Sequence, residues 1–304
     1  MTRSPAAIVV GVDGTDEGER AVRWAAADAA RRGRRLHLFH ACSGPTLVHP
    51  PPGLWLPVAG APRPTPHAAR LLQDAEGIAH AIHADLPVTA ESVGGQPVPA
   101  LLEASEYAAA IVVGRRGTGT FGALVAGSTA AEIAEFAACP VVVVRADTSA
   151  GGRYAGRVVV GIDTTEPSEE AIGFAFEQAL ARGTGVTAVH AYHPPADPMA
   201  GCMVPGSFDL GARCDTAQRL LSEILSTWRE RHPEVGVRSV VELGGATGVL
   251  MRASMGAALL VVGAHGYGPF GGLVLGSVSR AMLHRAPCPV AVVRATARRG
   301  TLLT

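Results

Sequence analysis

The chain of 304 residues repeats itself once, over segments that lie far apart. The segment IVVGVDGTDEGERAVRWA, which begins at Ile8, returns as VVVGIDTTEPSEEAIGFA from Val158, at an offset of 150 residues. The segment IVVGRRGTGTFGALVAGS from Ile111 returns as LVVGAHGYGPFGGLVLGS from Leu260, at an offset of 149, and ACPVVVVR returns as PCPVAVVR at that same offset. A nearly constant offset over separated segments indicates one duplicated domain rather than a solenoid of short repeats.

The duplication predicts where the domains begin and end. We expect a first domain at 1–146, a linker at 147–156, a second domain at 157–295 and a tail at 296–304. The linker segment is rich in Gly and small polar residues, as connecting segments often are.

Within each half, short runs of Val and Ile alternate with longer amphipathic stretches. Continuous apolar runs are typical of strands that are buried on both faces of a parallel sheet. We expect strands near 7–12, 35–41, 87–92, 109–114 and 140–145, and near 157–162, 185–191, 236–243, 257–263 and 289–294. The alternation predicts an α/β fold in which helices cover both faces of a parallel sheet.

The first amphipathic stretch, DEGERAVRWAAADAARRG, predicts a helix with Ala21, Trp24 and Ala25 on one face. Gly33 is a plausible stop for this helix. A second helix is expected over VSRAMLHRA, with Ser277 near its N-terminus.

Glycines cluster after the fourth predicted strand of each half. Their spacing is the same in both copies: Gly114, Gly117, Gly127 and then Ser128, and Gly263, Gly266, Gly276 and then Ser277. Glycine lets backbone N–H groups approach a ligand, and successive N–H groups form a concavity that binds anions. A helix N-terminus and a serine hydroxyl add further donors. The pattern therefore predicts a phosphate-binding loop in each half, at the edge of the sheet where such folds bind ligands.

A carboxylate follows the first strand of each half, Asp13 in GVDGT and Asp163 in GIDTT. Such a carboxylate can accept hydrogen bonds from a ribose or a base edge, or it can cap the following helix. Asp16 and Ser168 are also placed to serve as helix caps. That placement leaves Asp13 and Asp163 available for a ligand.

Composition excludes several function classes. The chain contains no Lys, which excludes a Walker A loop, a kinase β3 lysine and a Schiff-base lysine. A formal net charge of zero argues against a nucleic-acid binder. The N-terminal sequence does not resemble a signal peptide, and no apolar run is long enough to span a membrane. Five cysteines without a CxxC pair favour reduced thiols in a cytoplasmic protein.

Both halves resemble universal stress protein domains of the ATP-binding branch, and together they resemble a tandem member of that family. The pattern G-x2-G-x9-G-[S/T] of that branch stands twice, as GRRGTGTFGALVAGS and GAHGYGPFGGLVLGS. The GVDG and GIDT openings and the closing strands CPVVVVR and CPVAVVR match as well. The resemblance implies two α/β/α sandwich domains, each with a five-stranded parallel sheet of order 3-2-1-4-5, which hold ATP without a Walker loop.

The resemblance also implies a set of ligand-binding residues. Asp13 and Asp163 would lie near the adenine or ribose, Ala41 and Ala191 would border the adenine, and the loop residues would hold ribose and phosphates. The implied residues are Gly11, Asp13, Ala41, Gly114, Arg115, Gly117, Gly127, Ser128 and Thr129, and Gly161, Asp163, Ala191, Gly263, His265, Gly266, Gly276, Ser277, Val278 and Ser279.

The two copies do not match the family pattern equally. The family often places a hydroxyl two residues after the loop serine, and the second half has Ser279 there, whereas the first half has Ala130. The first half offers Thr129 and the loop residues Arg115 and Arg116 instead. The second half is therefore the better-matched site.

The sequence is compatible with several functions. The chain is expected to be an ATP-binding stress-response regulator that takes ATP with or without Mg²⁺ and acts on an unidentified regulatory protein. The alternatives are a slow ATPase or phosphotransferase, a module for another nucleotide such as cyclic AMP, and an interaction module with vestigial sites. No lysine clamp or in-line base is evident, which disfavours an enzyme.

The family resemblance implies a pseudo-dimer of domains through 140–145 and 289–294, or a homodimer.

The remaining candidate residues favour structural roles. Cys139 and Cys288 stand at equivalent places before the last strand and are expected to be small buried hydrophobes. His190 and His193 would point to opposite faces of a strand, and no further ligand accompanies them, so we expect no metal site.

Overall fold

The computed structural model describes residues 6–42, 65–115, 128–145, 151–165, 168–192, 210–264 and 275–295. The chain divides into two compact units, Met1–Ala146 and Asp147–Thr304.

The first unit alternates strands and helices throughout. Its elements are β1 (Ile8–Gly11), α1 (Asp16–Arg31), β2 (Leu36–Cys42), α2 (Pro66–Ile82), β3 (Val88–Gly94), α3 (Pro97–Ser105), β4 (Ala110–Gly114), α4 (Ser128–Phe136) and β5 (Val141–Val144). The five strands are parallel and stand in the order β3-β2-β1-β4-β5. In this register Ile8 lies opposite both Leu36 and Ala110.

The second unit repeats this arrangement. Its elements are β6 (Val158–Gly161), α5 (Glu169–Ala181), β7 (Val186–Tyr192), α6 (Leu210–Arg231), β8 (Val237–Leu243), α7 (Ala246–Ala253), β9 (Leu259–Gly263), α8 (Ser277–Arg285) and β10 (Val290–Val293). The strands are again parallel, in the order β8-β7-β6-β9-β10. Val158 takes the place of Ile8 and lies opposite Val186 and Leu259.

The predicted fold class and strand order are confirmed in both units. Every predicted strand overlaps an observed one, and the bounds differ by no more than two residues. The apolar runs located the strands well because the central strands are buried on both faces. The first four residues of β4 and the first four of β9 are buried, for example.

Helix α1 shows how small residues bring a helix close to the sheet. Ala21 and Ala25 are fully buried as predicted, whereas Trp24 is only half-buried at the edge of that face. Gly33 has a φ of 58° and its N–H donates to the Ala30 carbonyl oxygen, so the predicted helix stop is confirmed.

One predicted helix cap is wrong. Asp16 is the first residue of α1, and the cap is Thr15, whose backbone is extended and whose hydroxyl oxygen accepts the N–H of Gly18. Asp16 still contributes a negative charge to the first turn, which the helix dipole favours. The second prediction is confirmed, because the Ser168 hydroxyl oxygen caps α5 by accepting the N–H of Ala171.

The described part of the predicted linker, 151–156, belongs to the second unit and packs within it. Tyr154 is only 5% exposed, and the Gly156 N–H donates to the Gly256 carbonyl oxygen at 2.8 Å. The Thr184 hydroxyl in turn donates to the Gly156 carbonyl oxygen at 2.9 Å. The segment before β6 is therefore held by hydrogen bonds to the rest of the second unit.

Candidate functional site

Each sheet has a topological switch point between two central strands. From β1 the chain crosses to β2 on one side, whereas from β4 it crosses to β5 on the other side, so a crevice opens at their carboxyl ends. Gly11 ends β1 and Gly114 ends β4, which places both predicted glycines at this crevice. Gly161 and Gly263 end β6 and β9 at the equivalent crevice of the second unit.

The predicted carboxylates follow β1 and β6 at this edge. Oδ1 of Asp13 accepts the backbone N–H of Thr15 at 3.0 Å and its hydroxyl at 2.7 Å. Oδ1 of Asp163 accepts the same two groups of Thr165 at 2.9 and 2.7 Å. The other oxygen, Oδ2, has no hydrogen-bond partner among the described residues of either unit. Neither aspartate caps a helix, so the capping interpretation is wrong for this pair.

A histidine holds the backbone just before each aspartate. Nδ1 of His40, on β2, donates to the Val12 carbonyl oxygen at 2.7 Å, and Nδ1 of His190, on β7, donates to the Ile162 carbonyl oxygen at 2.9 Å. Sequence reasoning placed these histidines at strand ends but missed this contact. The indication in the sequence was their equivalent position in the two halves.

His190 and His193 are the residues that the sequence offers as candidate metal ligands. Over the described ranges, no group of three or more His, Cys, Asp or Glu side chains could hold a metal ion, while His193 lies outside those ranges.

Ala41 and Ala191 lie one strand away from the aspartates, near the carboxyl ends of β2 and β7. Ala41 stands opposite Val93 and Ala191 opposite Glu242, and both alanines are half-buried. They are thus at the same edge of the sheet as the aspartates, and their contact with an adenine stays a prediction.

The predicted loop of the second unit returns to its own starting point. The Gly276 N–H donates to the Ala264 carbonyl oxygen at 2.9 Å, so the chain that leaves β9 comes back to it immediately before α8. Gly276 is the cap residue of α8, and no side chain among the described residues caps this helix end. The first N–H groups of a helix have no acceptor within the helix. Those of Ser277 and Val278 therefore form an electropositive end next to Gly263.

Ser279 has a structural contact that was not predicted. Its side chain is only 4% exposed, and its hydroxyl donates to the Gly263 carbonyl oxygen, which ties the first turn of α8 to the end of β9. Ser277, two residues earlier, is exposed. The equivalent of Ser279 in the first unit is Ala130, which is buried and has no hydroxyl.

The loop of the first unit begins beside helix α1. A Cβ on Gly114 would lie 2.8 Å from the Glu17 carbonyl oxygen, so only glycine fits this approach of helix and strand end. Nη2 of the next residue, Arg115, lies 3.5 Å from Oε1 of Glu17. The predicted contact of Arg115 with a phosphate would therefore compete with an ion pair that sequence reasoning missed.

The remaining predicted residues belong to the start of α4 or to the two glycine loops. Ser128 is the first residue of α4, and Thr129 follows it and is half-buried. Gly117, Gly127, His265 and Gly266 lie outside the described residues.

The two cysteines before the last strands are buried, as predicted. Cys139 is 9% exposed and Cys288 is fully buried. Burial raises the pKa of the Cys139 thiol from 9.0 to about 12, and hydrogen bonds with backbone oppose that rise. Cys139 is thus a protonated thiol that packs like a small apolar side chain.

Comparison with known proteins identifies relatives along almost the whole chain. A family model described as the universal stress protein family matches twice, at residues 6–145 and 155–294. A universal stress protein of Mycobacterium tuberculosis (strain ATCC 25618 / H37Rv) is 35% identical over 294 residues, which cover 94% of this chain and 96% of the relative. A universal stress protein of Mycolicibacterium smegmatis is 34% identical over 293 residues, with the same coverage of both chains.

A solved structure shares the fold. The crystal structure of a universal stress protein from Archaeoglobus fulgidus DSM 4304 aligns with a TM-score of 0.60 and 17% sequence identity. The alignment covers 95% of this chain and 98% of that one.

Proposed function

Because the chain belongs to the universal stress protein family, we propose that it is an ATP-binding regulatory protein with one nucleotide site in each unit. One observation carries the proposal. In the second unit, Asp163 and the N-terminus of α8, which no described side chain caps, stand at the carboxyl ends of two neighbouring strands, β6 and β9. A negatively charged phosphate and a hydroxyl-rich ribose need this pair of groups side by side.

The roles of the residues follow from their chemistry. The N–H groups of Ser277 and Val278, together with the Ser277 hydroxyl, donate to phosphate oxygens. Oδ2 of Asp163 accepts from a ribose hydroxyl or from the adenine amine. Ala191 lines the base without competing for its hydrogen bonds. Asp13, Ala41 and the start of α4 repeat these roles in the first unit.

The site supports binding better than catalysis. The chain has no lysine to clamp the transferred phosphoryl group, and Arg115 is engaged with Glu17 in the first unit. The second unit has Ala264 at the position of Arg115. We therefore propose that bound ATP, with or without Mg²⁺ on its phosphates, changes the affinity of this protein for a regulatory protein partner.

We also place the protein in the cytoplasm. Its described cysteines, Cys42, Cys139, Cys214 and Cys288, are all free thiols, which suits a reducing compartment. No helix over the described ranges has the length and apolar character needed to cross a membrane.

The direct test is to denature the purified protein and identify the released nucleotide by mass spectrometry, and then to compare thermal shifts with ATP, ADP and cyclic AMP. We expect ATP to be released and to raise the melting temperature most. A protein without nucleotide and without any thermal shift would overturn the proposal. A larger shift with cyclic AMP would assign the sites to that nucleotide instead.

A matched pair of double variants tests the site residues. Asp13→Asn with Asp163→Asn keeps an oxygen for the turn but removes the charge that faces the ligand, and it should weaken ATP binding about tenfold or more. Asp16→Asn with Glu169→Gln removes the same charge from exposed positions in the first turns of α1 and α5 and should leave binding nearly unchanged. Equal losses in both variants would show that the aspartates act only through net charge.

A further inference from the structure

In each unit, a histidine near the end of the second strand donates a hydrogen bond to the residue just before the site aspartate. His40 donates to Val12 over 2.7 Å and His190 donates to Ile162 over 2.9 Å, and 28 residues separate the partners in both cases. The sequence after the aspartate differs between the units, since Gly14 of the first is Thr164 in the second. The contact is therefore not a by-product of one local sequence.

The chemistry of the contact fixes the tautomer of both rings. A carbonyl oxygen only accepts, so Nδ1 must carry the hydrogen. In the neutral ring Nε2 is then an acceptor. In the second unit the Thr164 hydroxyl lies 3.5 Å from Nε2 of His190 and can donate to it.

The contact immobilises the residue that precedes each aspartate. The N–H of Val12 already donates to the Phe39 carbonyl oxygen at 2.9 Å, so the imidazole secures the remaining polar group of the same residue. Ile162 is held in the same way, between the Val189 carbonyl oxygen and His190. The side chain thus continues the pairing of β1 with β2, and of β6 with β7, one step past the last ladder bond.

The aspartate is held from the other side by the threonine two residues later. Both Thr15 donors go to Oδ1 of Asp13, and both Thr165 donors go to Oδ1 of Asp163. With the preceding backbone fixed by the histidine and Oδ1 committed to the turn, only Oδ2 is left for a ligand. Groups held in place before binding lose less entropy when the ligand arrives.

We propose that His40 and His190 are positioning residues that hold the carboxylates of Asp13 and Asp163 in the orientation that receives the nucleotide. The proposal rests on the nucleotide sites proposed above. It differs from a purely structural role, in which the imidazole only satisfies a strand-end carbonyl and the aspartate is unaffected by its loss.

Three pairs of variants test the role of Nδ1. In His40→Asn with His190→Asn, the amide nitrogen is bonded to Cγ and occupies the place of Nδ1. In the pair of Gln variants the amide nitrogen is one bond further out, at the place of Nε2, and in the pair of Leu variants there is no donor. His37→Leu is the control, because His37 lies on the same strand β2 but contacts Thr89 rather than the turn.

The first measurement needs no nucleotide. Hydrogen exchange of the Thr15 and Thr165 N–H groups reports directly on the turns, and we expect it to be about five- to tenfold faster in the Leu and Gln pairs. Exchange in the Asn pair and in the His37→Leu control should stay within about twofold of the unmodified chain. Unchanged exchange in the Leu pair, or equal acceleration in the Asn pair, would overturn the proposal.

The second measurement is the Kd for ATP by titration calorimetry. It should rise about tenfold in the Leu and Gln pairs and recover in the Asn pair. Fast exchange with an unchanged Kd would overturn the positioning role and leave the nucleotide sites intact. If the unmodified chain binds no ATP, the proposed function fails, while the exchange data still decide whether the histidines hold the aspartates.

Discussion

The Arg115 guanidinium lies 3.5 Å from the Glu17 carboxylate, although 98 residues separate them in the chain. Nε of Arg115 and Oε2 of Glu17 are buried and have no hydrogen-bond partner among the described residues. The second unit has Ala264 and Pro167 at these two positions. At the first proposed site, Glu17 would therefore compete with a bound phosphate for Arg115.

We expect Glu17→Gln to strengthen ATP binding at the first site about two- to fivefold, because it releases a cation from a partly exposed ion pair. The affinity gain should shrink as salt is added. Titration calorimetry in a chain that also carries Asp163→Asn isolates the first site.

Glu19→Gln is the matched control for this prediction. Glu19 lies in the same first turn of α1, but its ion pair with Arg23 is exposed on the helix surface. If both variants bind ATP equally well, Glu17 does not compete with the ligand.

A second prediction concerns the approach of α1 to the end of β4. An added Cβ at Gly114 would meet two backbone atoms, the Glu17 carbonyl oxygen at 2.8 Å and its carbon at 2.9 Å. Backbone cannot rotate away as a side chain can, so Gly114→Ala should lower the free energy of unfolding by about 1–3 kcal/mol.

Gly11→Ala is the control, because its nearest neighbour is Cγ1 of Val113 at an ordinary 3.5 Å. We expect it to change the free energy of unfolding by less than about 0.5 kcal/mol. Urea denaturation of the two variants checks the difference, and equal midpoints would contradict this account of Gly114.

The sequence predicts the strands correctly because they depend on local pattern, whereas the glycine loops stay a prediction because most of their residues lie outside the described ranges. Continuous Val and Ile runs indicate buried strands, and the Asp-x-Thr spacing of Asp13 and Thr15 is also local. The contacts of His40 with Val12 and of Glu17 with Arg115 are not local. They depend on the register of β1 with β2 and on the packing of α1 against β4, which no short pattern contains. The choice of Thr15 over Asp16 as the cap depends on where the chain turns into the helix, which composition leaves open.

Ser277 and Ser279 should respond to substitution in opposite ways. Ser279→Ala leaves the Gly263 carbonyl oxygen without its buried donor and should lower the free energy of unfolding by about 1–2 kcal/mol. Ser277 is exposed, so Ser277→Ala should leave stability within about 0.5 kcal/mol but weaken ATP binding at the second site.

Chemical denaturation and calorimetry on both variants separate these effects. A stable Ser279→Ala variant that no longer binds ATP would contradict this prediction, because it would show that Ser279 rather than Ser277 contacts the nucleotide.

The Cys139 thiol should make stability depend on pH in the alkaline range. Its pKa is about 12 in the folded chain and about 9 when burial is lost on unfolding. Below pH 9 both states are protonated and the group makes no pH-dependent contribution. Between pH 9 and 12 the unfolded chain loses the proton first, so the free energy of unfolding falls by at most about 1.4 kcal/mol per pH unit.

Urea denaturation of the native chain and of Cys139→Ala at several pH values isolates this group, because all other titrating groups are shared. The stability difference between the two chains should be constant below pH 9 and should shift steadily against the native chain above it. A thiol reagent at about pH 8 should likewise modify the half-buried Cys42 well before Cys139, because burial keeps the Cys139 thiol protonated and out of reach of the reagent. A stability difference that does not vary with pH would mean that Cys139 is hydrated in the folded chain.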